Sequence, residues 1–264
     1  MNFVVVILAV LLYLAATFLI LPGLLRQSEI NKKVVLSITS IALILHFSTL
    51  IETIFASSGQ NMSILNVASL VSFIISCALT LAMFKIRLWF LLPIAFGFSC
   101  LSLIAAEFIP GAFITHFEHS PGLVVHIILA LFAYATLMIA ALYAMQLAWL
   151  DYKLKQKTCQ ALNPNLPPLM KVERQLFNII LIGNSLLTLT LISGPMFVDD
   201  FFSSGKTHKA LLSFIAWLVF NTLLWGHYKL GWRGKKVSWF SIIGAFILTL
   251  AYFGSRFVRE IILT

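Results

Sequence analysis

A chain of 264 residues that is 61% hydrophobic and only 10% charged lacks the surface of a soluble globular domain, which carries about a quarter charged residues. Its mean hydropathy of +1.01 comes from long apolar runs of membrane-helix length, not from the short alternating segments of a β-barrel. The net charge of +9 would suggest nucleic acid in a soluble protein; here it reflects the excess of cations in inner membrane loops, and no nucleic-acid partner is expected.

Taken in order, the chain predicts eight spans. Asn2 to Leu25 is the first, closed by Pro22-Gly23. No Lys or Arg precedes its apolar run, so it lacks the basic start of a signal peptide and reads as a retained span. Val34 to Ala56 is the second, followed by an uncharged turn, SSGQN. Met62 to Phe84 is the third and Leu88 to Ile109 the fourth, joined by a short basic turn, Lys85-Ile86-Arg87. The loop from Pro110 to Pro121 carries His116, Glu118 and His119.

Span five begins at Pro121, a residue suited to a first helical turn, and runs to about Ala148. From Ser120 to Leu150 it contains no Asp, Glu, Lys or Arg, and such a helix, about 46 Å long, exceeds the ~30 Å hydrocarbon core. Ala140, Ala144 and Ala148 form a small-residue strip suited to close helix packing. A proline-containing basic connection, Trp149 to Gln175, leads to span six, Leu176 to Val198. A polar loop with Asp199-Asp200, Lys206 and His208 precedes span seven, Ala210 to Tyr228. Span eight is Val237 to Val258.

Loop charge sets the orientation. The loops after spans one, three, five and seven hold 14 of the 18 Lys and Arg, and the other side holds 4. Cations collect on the cytoplasmic side. The expected fold is therefore all-α, a polytopic helical bundle with eight transmembrane helices and both termini outside. The chain reads as a single transmembrane domain over residues 1–264, with the lipid bilayer as its first partner.

Polar residues within spans face the bundle or a cavity. Span two places His46, Thr49 and Thr53 on one face, and span three places Asn66, Ser69, Ser72, Ser76 and Thr80 in nearly one stripe, so the two stripes are expected to face each other. Such hydroxyls ordinarily bond between helices, at about 0.6 kcal/mol each. Glu52, Glu107 and Arg256 lie near the outer ends of their spans. Arg256 reads either as half of an ion pair or as the anchor of an anion such as a haem propionate.

Six histidines divide into two groups: His116, His119 and His208 in outer loops, and His46, His126 and His227 in spans two, five and seven. Imidazole ligates haem iron, zinc or copper, yet a lone helical histidine is commonly a hydrogen-bonded structural residue. By helix rise, His126 lies ~6 Å below the outer boundary and His46 ~15 Å below it, with His227 at the inner boundary. His126 therefore matches His208 in depth, and His46 can meet His227 only through tilt. Cys77, Cys100 and Cys159 are far apart, with no zinc-type or haem-attachment spacing.

Pro121 to Ala144, PGLVVHIILALFAYATLMIAALYA, resembles the cytochrome c assembly protein family of haem-handling membrane proteins, through His126 followed by Ala133-Tyr134-Ala135. Lys209 to Tyr228, KALLSFIAWLVFNTLLWGHY, is similar to the family's span ending in an inner-side histidine, here His227. Gly59 to Ser69, GQNMSILNVAS, resembles its turn and following helix start. The stretches LYAMQLAWLDYKLK, PPLMKVER, LWGHYKLGWRGKK and LAYFGSRFVR look like its HemX-like branch of small eight-span inner-membrane proteins. The tryptophan-rich outer loop of other members has no counterpart in VDDFFSSGKTHK, and no histidine follows the last span.

The resemblance implies a non-enzymatic accessory protein of cytochrome c assembly or haem handling and export. It would lie in a bacterial inner membrane with both termini in the periplasm, bind b-type haem non-covalently and work with cytochrome-maturation proteins. His126 and His227 are the haem ligands it carries over. His46 is added from its depth and polar stripe, His208 as a possible outer ligand, and Arg256 as a possible propionate or ion-pair partner. A small-solute transporter or channel, or a partner subunit without haem, are the alternatives.

Overall fold

The computed structural model describes residues 3–55, 59–109, 111–117, 120–156, 163–198 and 204–254, with no side chain described for 204–206. Among the described residues eight α-helices follow in chain order: α1 Phe3–Leu25, α2 Lys32–Phe55, α3 Ile64–Ala82, α4 Leu91–Phe108, α5 Pro121–Lys155, α6 Leu169–Phe197, α7 Ser204–Leu230 and α8 Lys235–Thr249. All eight are long and apolar enough to cross a membrane, α8 when counted with the π-helical turn Leu250–Gly254 that extends it. The predicted spans thus reappear one for one. The clearest shift of boundary lies in the basic connection. There α5 continues to Lys155 and α6 begins at Leu169, because a helix that has left the hydrocarbon keeps its backbone bonds and can carry charged side chains into water.

The chain groups into two compact units, Met1–His116 with Lys153–Pro168, and Phe117–Tyr152 with Leu169–Thr264. In the first, α1 packs on α2 and α4, and α3 packs on α2 and α4. Tyr13, Phe96, Leu91, Leu92 and Leu103 are among its fully or nearly fully buried side chains. Phe18, Ile44 and Leu101 are each 68% exposed, as side chains bathed in lipid should be. The carbonyls left over at the end of α1 find partners in the connection after α5: Asn163 Nδ2 donates to Gly23 and Leu24 O, and Asn165 Nδ2 to Gly23 and Ser28 O, each at 3.0 Å. These amides do the work that a helix C-terminus otherwise leaves to water. Two-residue strands β1 Gln60–Asn61 and β2 Ile114–Thr115 pair antiparallel and join the loops after α2 and α4.

The polar stripe of α3 serves two neighbours, not one. Toward α2, Ser69 Oγ lies 2.9 Å from His46 Nε2, and Asn66 Nδ2 donates to Thr53 O at 3.4 Å. Toward α4, Ser72 pairs with Ser102 and Ser76 with Ser99, both at 2.8 Å. The expectation that the α3 stripe faces α2 therefore holds for its first turns alone. The stripe drifts around the helix, since 3.6 residues per turn does not divide evenly into the spacing of its hydroxyls. Thr49 and Thr53 donate to carbonyls of their own helix.

In the second unit α5 and α6 run antiparallel in a regular register. Phe197 sits where a Cβ on Gly122 would be, and Leu137 and Thr136 lie where a Cβ on Gly183 would be. On the other side of α5, Tyr134 Oη is 3.0 Å from Thr249 Oγ1 on α8. Phe220 of α7 fills the place of a side chain at Gly244 of α8. Of the expected alanine strip, Ala140 and Ala144 are fully buried and Ala148 is exposed.

Candidate haem-binding histidines

His126 is half-buried in the second turn of α5. Its Nδ1 lies 2.9 Å from Ser193 Oγ on α6, and that hydroxyl donates to Thr190 O at 3.1 Å. A serine has one proton to give. If that proton goes to the carbonyl, Ser193 accepts from the imidazole, and the neutral ring is then protonated at Nδ1 with its lone pair on Nε2.

His227 reaches the same state by another route. It stands in the last turn of α7, half-buried and stacked face to face on Phe177 of α6, with ring centroids 3.4 Å apart. Gly231, at φ +67°, closes the helix by donating to His227 O at 3.1 Å, the left-handed cap that glycine adopts without strain. The chain then folds back. Trp232 N donates to Gly226 O at 3.0 Å, and the indole lies where a Cβ on Gly226 would stand. This reversal brings Trp232 O to 3.1 Å from His227 Nδ1. A carbonyl can only accept, so here too Nδ1 carries the proton and Nε2 the lone pair. Beside this cap, Arg233 Nε is 3.6 Å from Oε1 of the buried Glu173.

His46 differs from both. It is fully buried, with Nδ1 3.2 Å from Tyr13 Oη and Nε2 2.9 Å from Ser69 Oγ. Both ring nitrogens are engaged by the protein, and the ring also meets Tyr13 and Phe73 edge-on. Ligation of a metal by His46 requires that one of these hydrogen bonds be given up. The place the structure gives it is that of a tie between α1, α2 and α3.

Helix α6 serves as a ruler for the other two. Its Ser193 touches His126 and its Phe177 touches His227, so the histidines are separated by sixteen residues of one helix, about 24 Å at ~1.5 Å per residue. They belong to two places, as the depth argument anticipates. His208 is exposed in the second turn of α7. By the contact of Trp217 with Thr188 it stands within about a turn of the level of His126. His116 is exposed, whereas His119, Cys159 and Arg256 lie outside the described residues, so the reading of Arg256 as an anion or ion-pair partner does too. Cys77 and Cys100 are free thiols. Among the described residues, no three or more His, Cys, Asp or Glu converge as a metal-ion site.

His126 and His227 stand out in the sequence as candidates; the groups that bond to them do not. Ser193 was one hydroxyl among many. The glycines of LWGHYKLGWRG were the available signal for a tight reversal beside His227.

The family model described as cytochrome C assembly protein matches residues 34–263. The chain belongs to the cytochrome c assembly protein family. Inner membrane protein YpjD of Escherichia coli (strain K12) is 49% identical over 258 residues, covering 97% of this chain and 98% of that protein. An uncharacterized 28.8 kDa protein of Azospirillum brasilense is 29% identical over 58% of this chain and 61% of its own. Cytochrome c biogenesis protein CcsA of Prochlorococcus marinus is 33% identical over 84 residues, 31% of this chain and 27% of that one. No solved structure matches. With eight candidate spans and this kinship, the family member described here is a multi-pass protein of the bacterial inner membrane.

Proposed function

We propose that this protein is a haem-binding accessory protein of cytochrome c assembly, without catalytic activity of its own, that holds b-type haem non-covalently and works beside cytochrome-maturation proteins. Family membership supports the assembly role. The observation that carries the haem reading is the shared state of His126 and His227. Each has Nδ1 within hydrogen-bond distance of an oxygen on a neighbouring segment, an arrangement that suits an outer partner orienting a metal-ligating imidazole and raising its basicity.

The donor chemistry therefore fits ferrous or ferric haem iron, which takes neutral imidazole nitrogen as an axial ligand. When bound, the haem supplies a redox-active iron; the chain supplies oriented imidazole ligands. His126 serves a site at the outer end of the second unit, with His208 near its level as a further donor. His227 serves one at the inner end, backed by Phe177. His46 is left out of the ligand set because both its nitrogens are engaged. The transporter alternative drew on the polar stripes of α2 and α3, and the bonds from Ser69, Ser72 and Ser76 to α2 and α4 take up those hydroxyls.

Visible spectroscopy of the purified protein tests the reading. A Soret band, with sharp reduced bands for bis-histidine ligation, is expected. His126→Ala and His227→Ala should each lower haem content and the double variant should lose nearly all of it. Undiminished haem in the double variant refutes the assignment.

A further inference from the structure

We infer that Ser193 is the positioning residue of the outer histidine: it holds His126 in the Nδ1–H tautomer and so presents Nε2 as the electron-pair donor. Two hydrogen bonds carry the inference. His126 Nδ1 is 2.9 Å from Ser193 Oγ, and Ser193 Oγ is 3.1 Å from the Thr190 carbonyl it donates to. The second bond gives the first its direction. A hydroxyl without a committed proton could donate to a bare Nδ1 as easily as accept from a protonated one, and would leave the tautomer open. The Thr190 carbonyl gives that proton a partner and so favours a protonated Nδ1.

Both partners of the relay lie within helices. Ser193 is 6% exposed and lies within α6, three residues after the carbonyl it uses. On the neighbouring turns Phe197 packs against Gly122 of α5. The serine thus reaches His126 from α6, on the side where Phe197 meets Gly122.

For a ligand the consequence is electronic as well as geometric. Donation from Nδ1–H to an oxygen gives the ring partial imidazolate character, strengthens the Nε2–metal bond and favours the ferric state, which lowers the reduction potential. This consequence rests on the reading of His126 as a haem ligand. The tautomer assignment does not.

The test has two arms, both on the full-length protein. In the first, haem-free protein labelled with nitrogen-15 in histidine is compared by NMR, His126 being assigned by loss of its signal in His126→Ala. Wild type should show the Nδ1–H tautomer at His126, Ser193→Ala should shift it toward Nε2–H, and Ser193→Thr should restore it. In the second, haem is titrated in the His227→Ala background, where the outer site is read alone. Ser193→Ala should weaken haem about tenfold, the low end of what outer-shell partners of metal ligands are worth, and raise the reduction potential, with Ser193→Thr restoring both.

An unshifted tautomer in Ser193→Ala overturns the inference. So does wild-type affinity and potential in that variant when His126→Ala has lost its haem. If His126→Ala keeps its haem, the ligand reading falls instead, and the tautomer arm still decides the role of Ser193. Should Ser193→Ala fail to accumulate, Ser193→Cys, whose sulfur is a weak acceptor, is read in the same way.

Discussion

Tyr13→Phe separates a structural His46 from a ligating one. The substitution deletes one hydroxyl and keeps the ring that packs against Phe96 with centroids 5.2 Å apart. Both Tyr13 and His46 are 0% exposed, so once the hydroxyl is gone His46 Nδ1 has no route to solvent. Leaving a buried polar atom without its partner costs about 1–3 kcal/mol, while hydrogen bonds between membrane helices average about 0.6 kcal/mol and reach ~1.7 in double-mutant cycles. A loss of about 1–2 kcal/mol is expected, measured as the change in free energy of reversible unfolding in mixed detergent. Replacing both partners, as Tyr13→Phe with His46→Leu, should recover part of that loss, because no imidazole is then left to satisfy, although Ser69 Oγ loses its contact. Haem content should stay at the wild-type level throughout. A Tyr13→Phe protein as stable as the parent, or a His46→Leu protein that folds but has lost haem in proportion, would refute the assignment of His46 as a helix tie.

The alanine strip of α5 gives a paired test. Ala144→Leu should lower the unfolding free energy by about 1–3 kcal/mol, the usual cost of overfilling a packed interior, because Ala144 is fully buried, whereas Ala148→Leu at an exposed position should be tolerated; equal behaviour of the two variants would refute the packing argument. Orientation is checked by thiol labelling in intact cells after removal of the native cysteines: Thr207→Cys should react with an impermeant reagent and Lys155→Cys should not, as the excess of cations in the loop after α5 requires. Reaction at both positions would overturn the proposed topology.

Eight spans, their order and most of their boundaries could be read from the chain, because hydrocarbon imposes its demand on each segment separately: about twenty apolar residues with every backbone group bonded within the helix. The depth of each histidine followed from the same counting. What each histidine does could not be read that way. His46, His126 and His227 are alike in sequence, single imidazoles in apolar helices, and their difference lies in what other helices bring to them. Tyr13 and Ser69, from α1 and α3, occupy both nitrogens of His46. Ser193 on α6 and the Trp232 carbonyl after α7 occupy one nitrogen each of His126 and His227. The amides of Asn163 and Asn165 on the end of α1 are also tertiary facts, more than a hundred residues from their acceptors. A hydrogen bond is short-ranged and directional, so its partners are settled by the register between helices, whereas burial in a membrane depends on the composition of one segment at a time.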